Sequence, residues 1–206
     1  MKKRISLILI VVVMCLSVSL SLAFLKDVFN TKSNAFSGDE QKVNVGVVEG
    51  NNVYENTGGL VLKKITSSGI SKKVAIKNID LVDYPTTDTY VRVRLVPSIK
   101  YNDNSEYARQ VANVNVDGVG YEFSSNKWVS IVTNGMNYYY YNEAIIPGDT
   151  SELLISKVSY SGVIPKDCHF ELDILVEGVA KGSKSDPYMY IKKSWNLSDE
   201  LLETIY

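Results

Sequence analysis

Cys168 and His169 stand side by side as the one thiol beyond the first 23 residues and the one imidazole of the chain. A cysteine nucleophile needs a base within hydrogen-bond reach. Neighbours on a strand project to opposite faces, so the pair is expected to be structural. A single histidine leaves no HExxH motif and no histidine-rich zinc site. Glu171 and Asp173 are two residues apart and share a strand face, the composition of a glycosidase carboxylate pair. A solvated outer face accounts for them more simply. The run Tyr138-Tyr139-Tyr140-Tyr141 has the rings for a sugar-stacking platform. On a strand only two of the four lie on each side, so one pair is expected in the core and the other across a sheet face. No Gly-x-Ser-x-Gly elbow, phosphate loop or dinucleotide fingerprint occurs. The chain is therefore expected not to be an enzyme, and to take no cofactor and no metal.

The elements that carry these residues read as β-structure almost throughout. Val43, Val45 and Val47 alternate with Asn44 and Gly46, the period-two pattern of a half-buried strand. Gly50-Asn51-Asn52 turns it. Leu60 to Leu62 is followed by a clearer run, Lys72 to Ile79, with Val74 and Ile76 on one side. From Thr89 to Val96, Val91, Val93 and Leu95 oppose Tyr90, Arg92 and Arg94, and Pro97 stops the strand or marks an edge. Residues 101–110 are polar, with a short helical turn as a candidate at 106–110. Val111 to Val116 alternates up to the turn Asp117-Gly118. Trp128 to Val132 and Met136 to Tyr141 flank Asn134-Gly135, the pair suited to a type I′ hairpin. After Pro147-Gly148-Asp149 come strands over 152–160 and 170–177. Ser198 caps a closing helix over 199–205, the only one the pattern supports, with Asp199 and Glu200 where the helix dipole favours them. Short strands with turns about every ten residues predict an all-β fold, an antiparallel jelly-roll-like β-sandwich with a short C-terminal helix.

The first 36 residues set the cellular context. Lys2, Lys3 and Arg4 precede an uncharged run from Ile5 to Leu16, and Ser21-Leu22-Ala23 presents small residues spaced as in A-x-A. This predicts a signal peptide over residues 1–23, cleaved between Ala23 and Phe24. The alternative is an uncleaved anchor, since residues 5–22 lie at the lower edge of a membrane-spanning length. Removing 23 of the 206 residues leaves 183, enough for one domain with a good core. The leader holds three of the 22 basic residues and none of the 23 acids, so the remainder carries 19 against 23, a net charge of −4. No basic field for nucleic acid results. With Cys15 inside the leader, Cys168 alone cannot form an intrachain disulfide. Residues 24–36, with Phe24, Leu25, Val28, Phe29 and Phe36 among polar neighbours, precede the first strand and have no evident home in their own domain. The domain itself is expected over residues 42–206.

The leader, the segment ending Asn34-Ala35-Phe36-Ser37-Gly38-Asp39 and the Val-x-Val strand after it resemble the start of the TasA/camelysin family of biofilm matrix proteins. Trp128, the tyrosine run, Ile145-Ile146-Pro147-Gly148-Asp149-Thr150 and Leu153-Leu154 are similar to the W…YYYY…L-x-PG-x-T…L stretch of clostridial biofilm surface proteins of that family, and Tyr90-Val91-Arg92-Val93 to its Y-V-R-V strand. The resemblance covers most of residues 1–180. It implies a SipW-type signal peptide, recognised by a dedicated signal peptidase, and a secreted, pilus-like fibre subunit of the Gram-positive cell surface or extracellular matrix. It further implies donor-strand exchange, in which residues 24–41 of one jelly roll complete the sheet of the next. Phe24, Val28, Phe29 and Phe36 are the candidate anchors, and the partners are a homopolymer, with minor fibre subunits as further candidates. The family also implies isopeptide sealing of fibres, for which Lys26 or Lys32 is the candidate donor.

Other classes remain open on sequence. The segment pairing with its own sheet edge would give an ordinary monomer. A monomeric cell-surface adhesin or carbohydrate-binding module predicts saccharide binding that depends on Tyr139 or Tyr141. A hydrolase predicts turnover that depends on one acid or on Cys168.

Overall fold

The computed structural model describes residues 42–50, 52–54, 59–62, 65–104, 107, 110–113, 116–133 and 135–206. The chain divides into units 1–34 and 35–206, and the architecture below is that of the second. Among the described residues eleven strands come in the order β1 (Val45–Glu49), β2 (Asn52–Tyr54), β3 (Gly59–Leu62), β4 (Ile70–Asn78), β5 (Thr89–Tyr101), β6 (Val111–Asn113), β7 (Val119–Phe123), β8 (Trp128–Thr133), β9 (Met136–Tyr141), β10 (Ile155–Tyr160) and β11 (Cys168–Ala180). Two short helices follow, α1 (Met189–Trp195) and α2 (Asp199–Ile205). The strands form a five-stranded sheet, β2-β1-β4-β10-β7, and a six-stranded sheet, β3-β11-β5-β9-β8 with β6 beside β5. All pairings between named strands are antiparallel, which makes the fold the all-β sandwich expected.

The period-two patterns decide which residues meet between the sheets. Val74 and Ile76 of β4 and Phe170, Leu172 and Ile174 of β11 are fully buried in the main core. Each such side chain contributes roughly 1.5 to 3 kcal/mol by leaving water. The spine of the wider sheet is the β5–β11 pair, in register from Thr89↔Ala180 to Tyr101↔Cys168. Gly178 lies where the chain entering β1 crosses β11. A Cβ there would stand 2.8 Å from Val43 Cγ1 and 3.0 Å from Val45 Cγ1, closer than side chains pack.

Several expectations need correction. Pro97 does not stop β5, which continues to Tyr101. Among the described residues β9 pairs with β5 at Arg92 and Val93, and β6 at Ile99 and Lys100, so Pro97 sits in a stretch that β11 alone partners. A residue without an N–H fits such a one-sided stretch. The first strand starts at Val45 rather than Val43, and Asn52, read as the last residue of a turn, opens β2 over residues 52–54. Strand β10 begins at Ile155, because residues 150–154 follow β4 only through an isolated bridge, Lys77↔Thr150, and single hydrogen bonds from the Ser151 and Leu154 N–H groups to Ile76 and Val74, burying Leu154. The hairpin between β8 and β9 is tight as expected: Thr133 opposes Met136, and Gly135 takes φ +73°.

Helix α2 has the expected cap, with the Ser198 hydroxyl accepting from the Leu201 N–H at 3.3 Å. It is not the only helix. Helix α1 lacks a capping side chain at Tyr188, which hid its start. It ends at Asn196 in the left-handed conformation, with Lys192 and Lys193 in its last turn. Both helices pack on the outer face of the six-stranded sheet. There Ile191, Trp195, Leu197, Leu202 and Ile205 bury Tyr90 and Tyr140 in a second core. No helix among the described residues is long and apolar enough to cross a membrane.

Candidate functional site

The tyrosine run divides by face. Tyr139 and Tyr141 point into the main core and are 8% and 5% exposed, so neither ring face is open to a saccharide. Tyr138 and Tyr140 point outward under the helices. The Arg92 guanidinium lies 4.3 Å from the Tyr138 ring and 5.0 Å from the Trp195 ring, and donates to Glu177 at 2.6 Å. The exposed platform that a sugar-binding reading places on Tyr139 or Tyr141 is absent because the strand turns those rings inward.

Cys168 and His169 also part. Cys168 packs against the main core, whereas His169 faces outward, its Nδ1 3.0 Å from Asn102 Oδ1 and its Nε2 3.3 Å from Glu171 Oε2. Glu171 and Asp173 share the outer face of β11 as expected, with Lys100 Nζ between them at 2.6 Å and 3.4 Å. Burial pulls against the Lys100 charge, but the Glu171 hydrogen bond and the two carboxylates outweigh it and hold the amine above its ordinary range. Burial likewise opposes the charge on Glu171, yet Lys100 and His169 bring that carboxyl below its usual value. Asp173 goes the other way, raised mainly by burial and further by the Glu171 charge, because Lys100 sits closer to Glu171. A lysine kept protonated is a counter-ion and not a nucleophile. The cluster ties β11 to β5 electrostatically.

The sign of its pH dependence follows. Because Glu171 titrates below its ordinary value, the stability it contributes is complete above the usual glutamate range and is lost as pH falls through the depressed value. Glu171→Gln is expected to lower stability by about 1 kcal/mol at neutral pH. The difference should shrink as pH falls through the depressed range, which thermal melts of both proteins followed from neutral into acid pH will show.

No group of three or more His, Cys, Asp and Glu among the described residues is placed to hold a metal ion. A polar depression of about 180 Å³, lined by Ser67, Ser68, Glu122, Lys157 and Ser159, is smaller than the roughly 300 to 1,000 Å³ of small-molecule sites.

Sequence reasoning missed what lies at the far edge of the sandwich. Strand β7 ends the five-stranded sheet, and its alternation of Val119, Tyr121 and Phe123 with Gly120 and Glu122 was the signal that would have found it. Phe123 stacks against Tyr139 of β9 at 4.9 Å between ring centres, so β7 lies over β9 and β8 extends one strand beyond it. In β8 the inward Trp128 is buried in the main core, and beyond it the usual gradient is inverted. Ser130 and Val132, in register with the inward Tyr139 and with Asn137, are exposed, Val132 by 70%. Val129 and Ile131, which face outward, are half-buried against the second core.

The candidate anchors Phe24, Val28, Phe29 and Phe36, the candidate lysines Lys26 and Lys32, and the cleavage position Ala23–Phe24 lie outside the described residues. No protein-family model, no curated protein and no solved structure matches this chain.

Proposed function

We propose that this protein is a secreted structural subunit of an extracellular matrix fibre, built head to tail by the N-terminal segment of one copy adding as a strand to the sandwich of the next. One observation carries the reading: among the described residues the sandwich ends in the edge strand β7 and exposes the inward Ser130 and Val132 of β8, while the sequence places a partly apolar segment ahead of the domain. Strand addition supplies generic affinity through main-chain hydrogen bonds and register through side-chain pockets. Donor and acceptor are different surfaces of the same molecule, so the contact does not close on itself and produces filaments. The small number of cysteines agrees with a particle held by strand pairing rather than by disulfides.

The test is electron microscopy and electrophoresis of the secreted protein with and without residues 24–36. Full-length protein is expected to give filaments and high-mass species. The deletion should remain monomeric at the same concentration, with an unchanged far-ultraviolet dichroism spectrum. Full-length protein that stays monomeric under every assembly condition overturns the reading.

A further inference from the structure

We propose that the acceptor is the strand position beside β7 and over the inner face of β8, and that its occupant is residues 24–36 of a second copy. The proposal rests on the fibre reading above and locates its contact.

Three observations place the seat. Beyond Trp128, which is buried in the main core, the inward residues of β8, Ser130 and Val132, are barer than the outward Val129 and Ile131, the reverse of what a sandwich strand shows when the opposite sheet covers it. The five-stranded sheet is what falls short: β7 lies over β9, and a strand beside β7 would lie over β8. Among the described residues β7 pairs with β10 alone, so its other edge presents main-chain groups for a further ladder. Phe123 closes the row, inward-facing on β7 and yet 44% exposed.

The lining is mixed, and so is the occupant. Phe123 and Val132 are apolar, while Ser130 Oγ and Asn137 Oδ1 lie 2.8 Å apart on the same inner surface. On an extended segment Phe24, Lys26 and Val28 share one face, which alternates apolar, polar and apolar side chains against such a lining. Length is sufficient. Thirteen residues extend over roughly 43 Å, whereas a strand matched to β7 or β8 needs roughly 17 to 20 Å, so the remainder serves as the tether to the donor's own domain. The opposite edge is a poorer seat, because β2 has only three residues, all of them exposed.

The test uses the full mature chain. Phe123→Lys with Val132→Lys puts two charges into the seat at positions exposed enough to leave folding intact, which an unchanged melting temperature verifies. Polymer yield is expected to fall at least tenfold, while Tyr54→Lys on the opposite edge assembles as the parent does. A second measurement fixes the occupant. In a Cys168→Ser background, isotopically heavy Val28→Cys protein is mixed with light Val132→Cys protein and oxidised. Heavy-to-light disulfides are expected by mass spectrometry, with none when Tyr54→Cys replaces Val132→Cys. Normal polymer from the double-lysine variant, or cross-links at Tyr54→Cys in its place, overturns the seat and leaves the fibre reading standing. A parent protein that never polymerises overturns both.

Discussion

Replacing Tyr140 with alanine is expected to cost roughly 3 to 5 kcal/mol and to lower the melting temperature by about 6 to 20 °C. Tyr140 is the largest of the fully buried side chains and sits between the six-stranded sheet and the two helices. Its ring meets Trp195 edge-on, with centres 5.6 Å apart, and its hydroxyl accepts from Arg92 at 3.3 Å. Truncation leaves a cavity that two seven-residue helices cannot close without leaving the sheet. The loss should therefore appear first as a red shift of Trp195 fluorescence, read in a Trp128→Phe background, at denaturant concentrations where the strand signal is intact. Tyr138→Ala, at a half-buried position, is the matched control and should cost much less. A Tyr140→Ala protein that melts with the parent would show that the helices are held by something other than this ring.

The second large effect is at Asn78, fully buried at the end of β4. Its Nδ2 donates to the Thr87 carbonyl at 2.8 Å and the Ile145 carbonyl at 2.9 Å, tying the end of β4 to the chain entering β5 and to a segment 67 residues on. Its main chain does the same work: the N–H donates to Asp149 and the carbonyl accepts from Gly148. Asn78→Asp keeps the shape and replaces two donated hydrogen bonds by carboxylate oxygen facing two carbonyl oxygens. At neutral pH the expected cost is about 3 to 5 kcal/mol, since a buried charge is left without a partner. Burial and the carbonyls raise the folded pKa of this aspartate above its ordinary value of about 3.9. Stability relative to the neutral-pH protein is then fully recovered only below that ordinary value, and is lost as pH rises through the raised one. Denaturant melts from pH 3 to pH 7 should show the variant approaching the parent in acid. A pH-independent gap would mean that the folded site does not penalise the charged carboxylate.

Much of the fold was legible because period-two alternation is a local property. The inward sets Val91-Val93-Leu95 and Phe170-Leu172-Ile174 follow from the spacing alone, as do the Ser198 cap and the Asn134-Gly135 hairpin. The division of the four tyrosines into two pairs was legible for the same reason. Strand β7 was missed although its alternation was present, and α1 was missed because packing on Tyr140, rather than a capping side chain, fixes it. At Pro97 the spacing left a strand stop and an edge open, and the pairing decides for the edge, because a proline's tolerance depends on whether a neighbour pairs on its open side, and that neighbour comes from elsewhere in the chain.

The sequence by itself determined the strands' faces and the all-β class. It could not determine which of two alternating faces of β8 is covered, because that depends on how many strands stand opposite, a count set by pairings between segments tens of residues apart. Only the tertiary arrangement placed Lys100 between Glu171 and Asp173, brought Asn78 to the carbonyls of Thr87 and Ile145, and left the inward Ser130 and Val132 of β8 exposed. Burial and strand partnership are properties of the assembled sheets, and no local pattern encodes them.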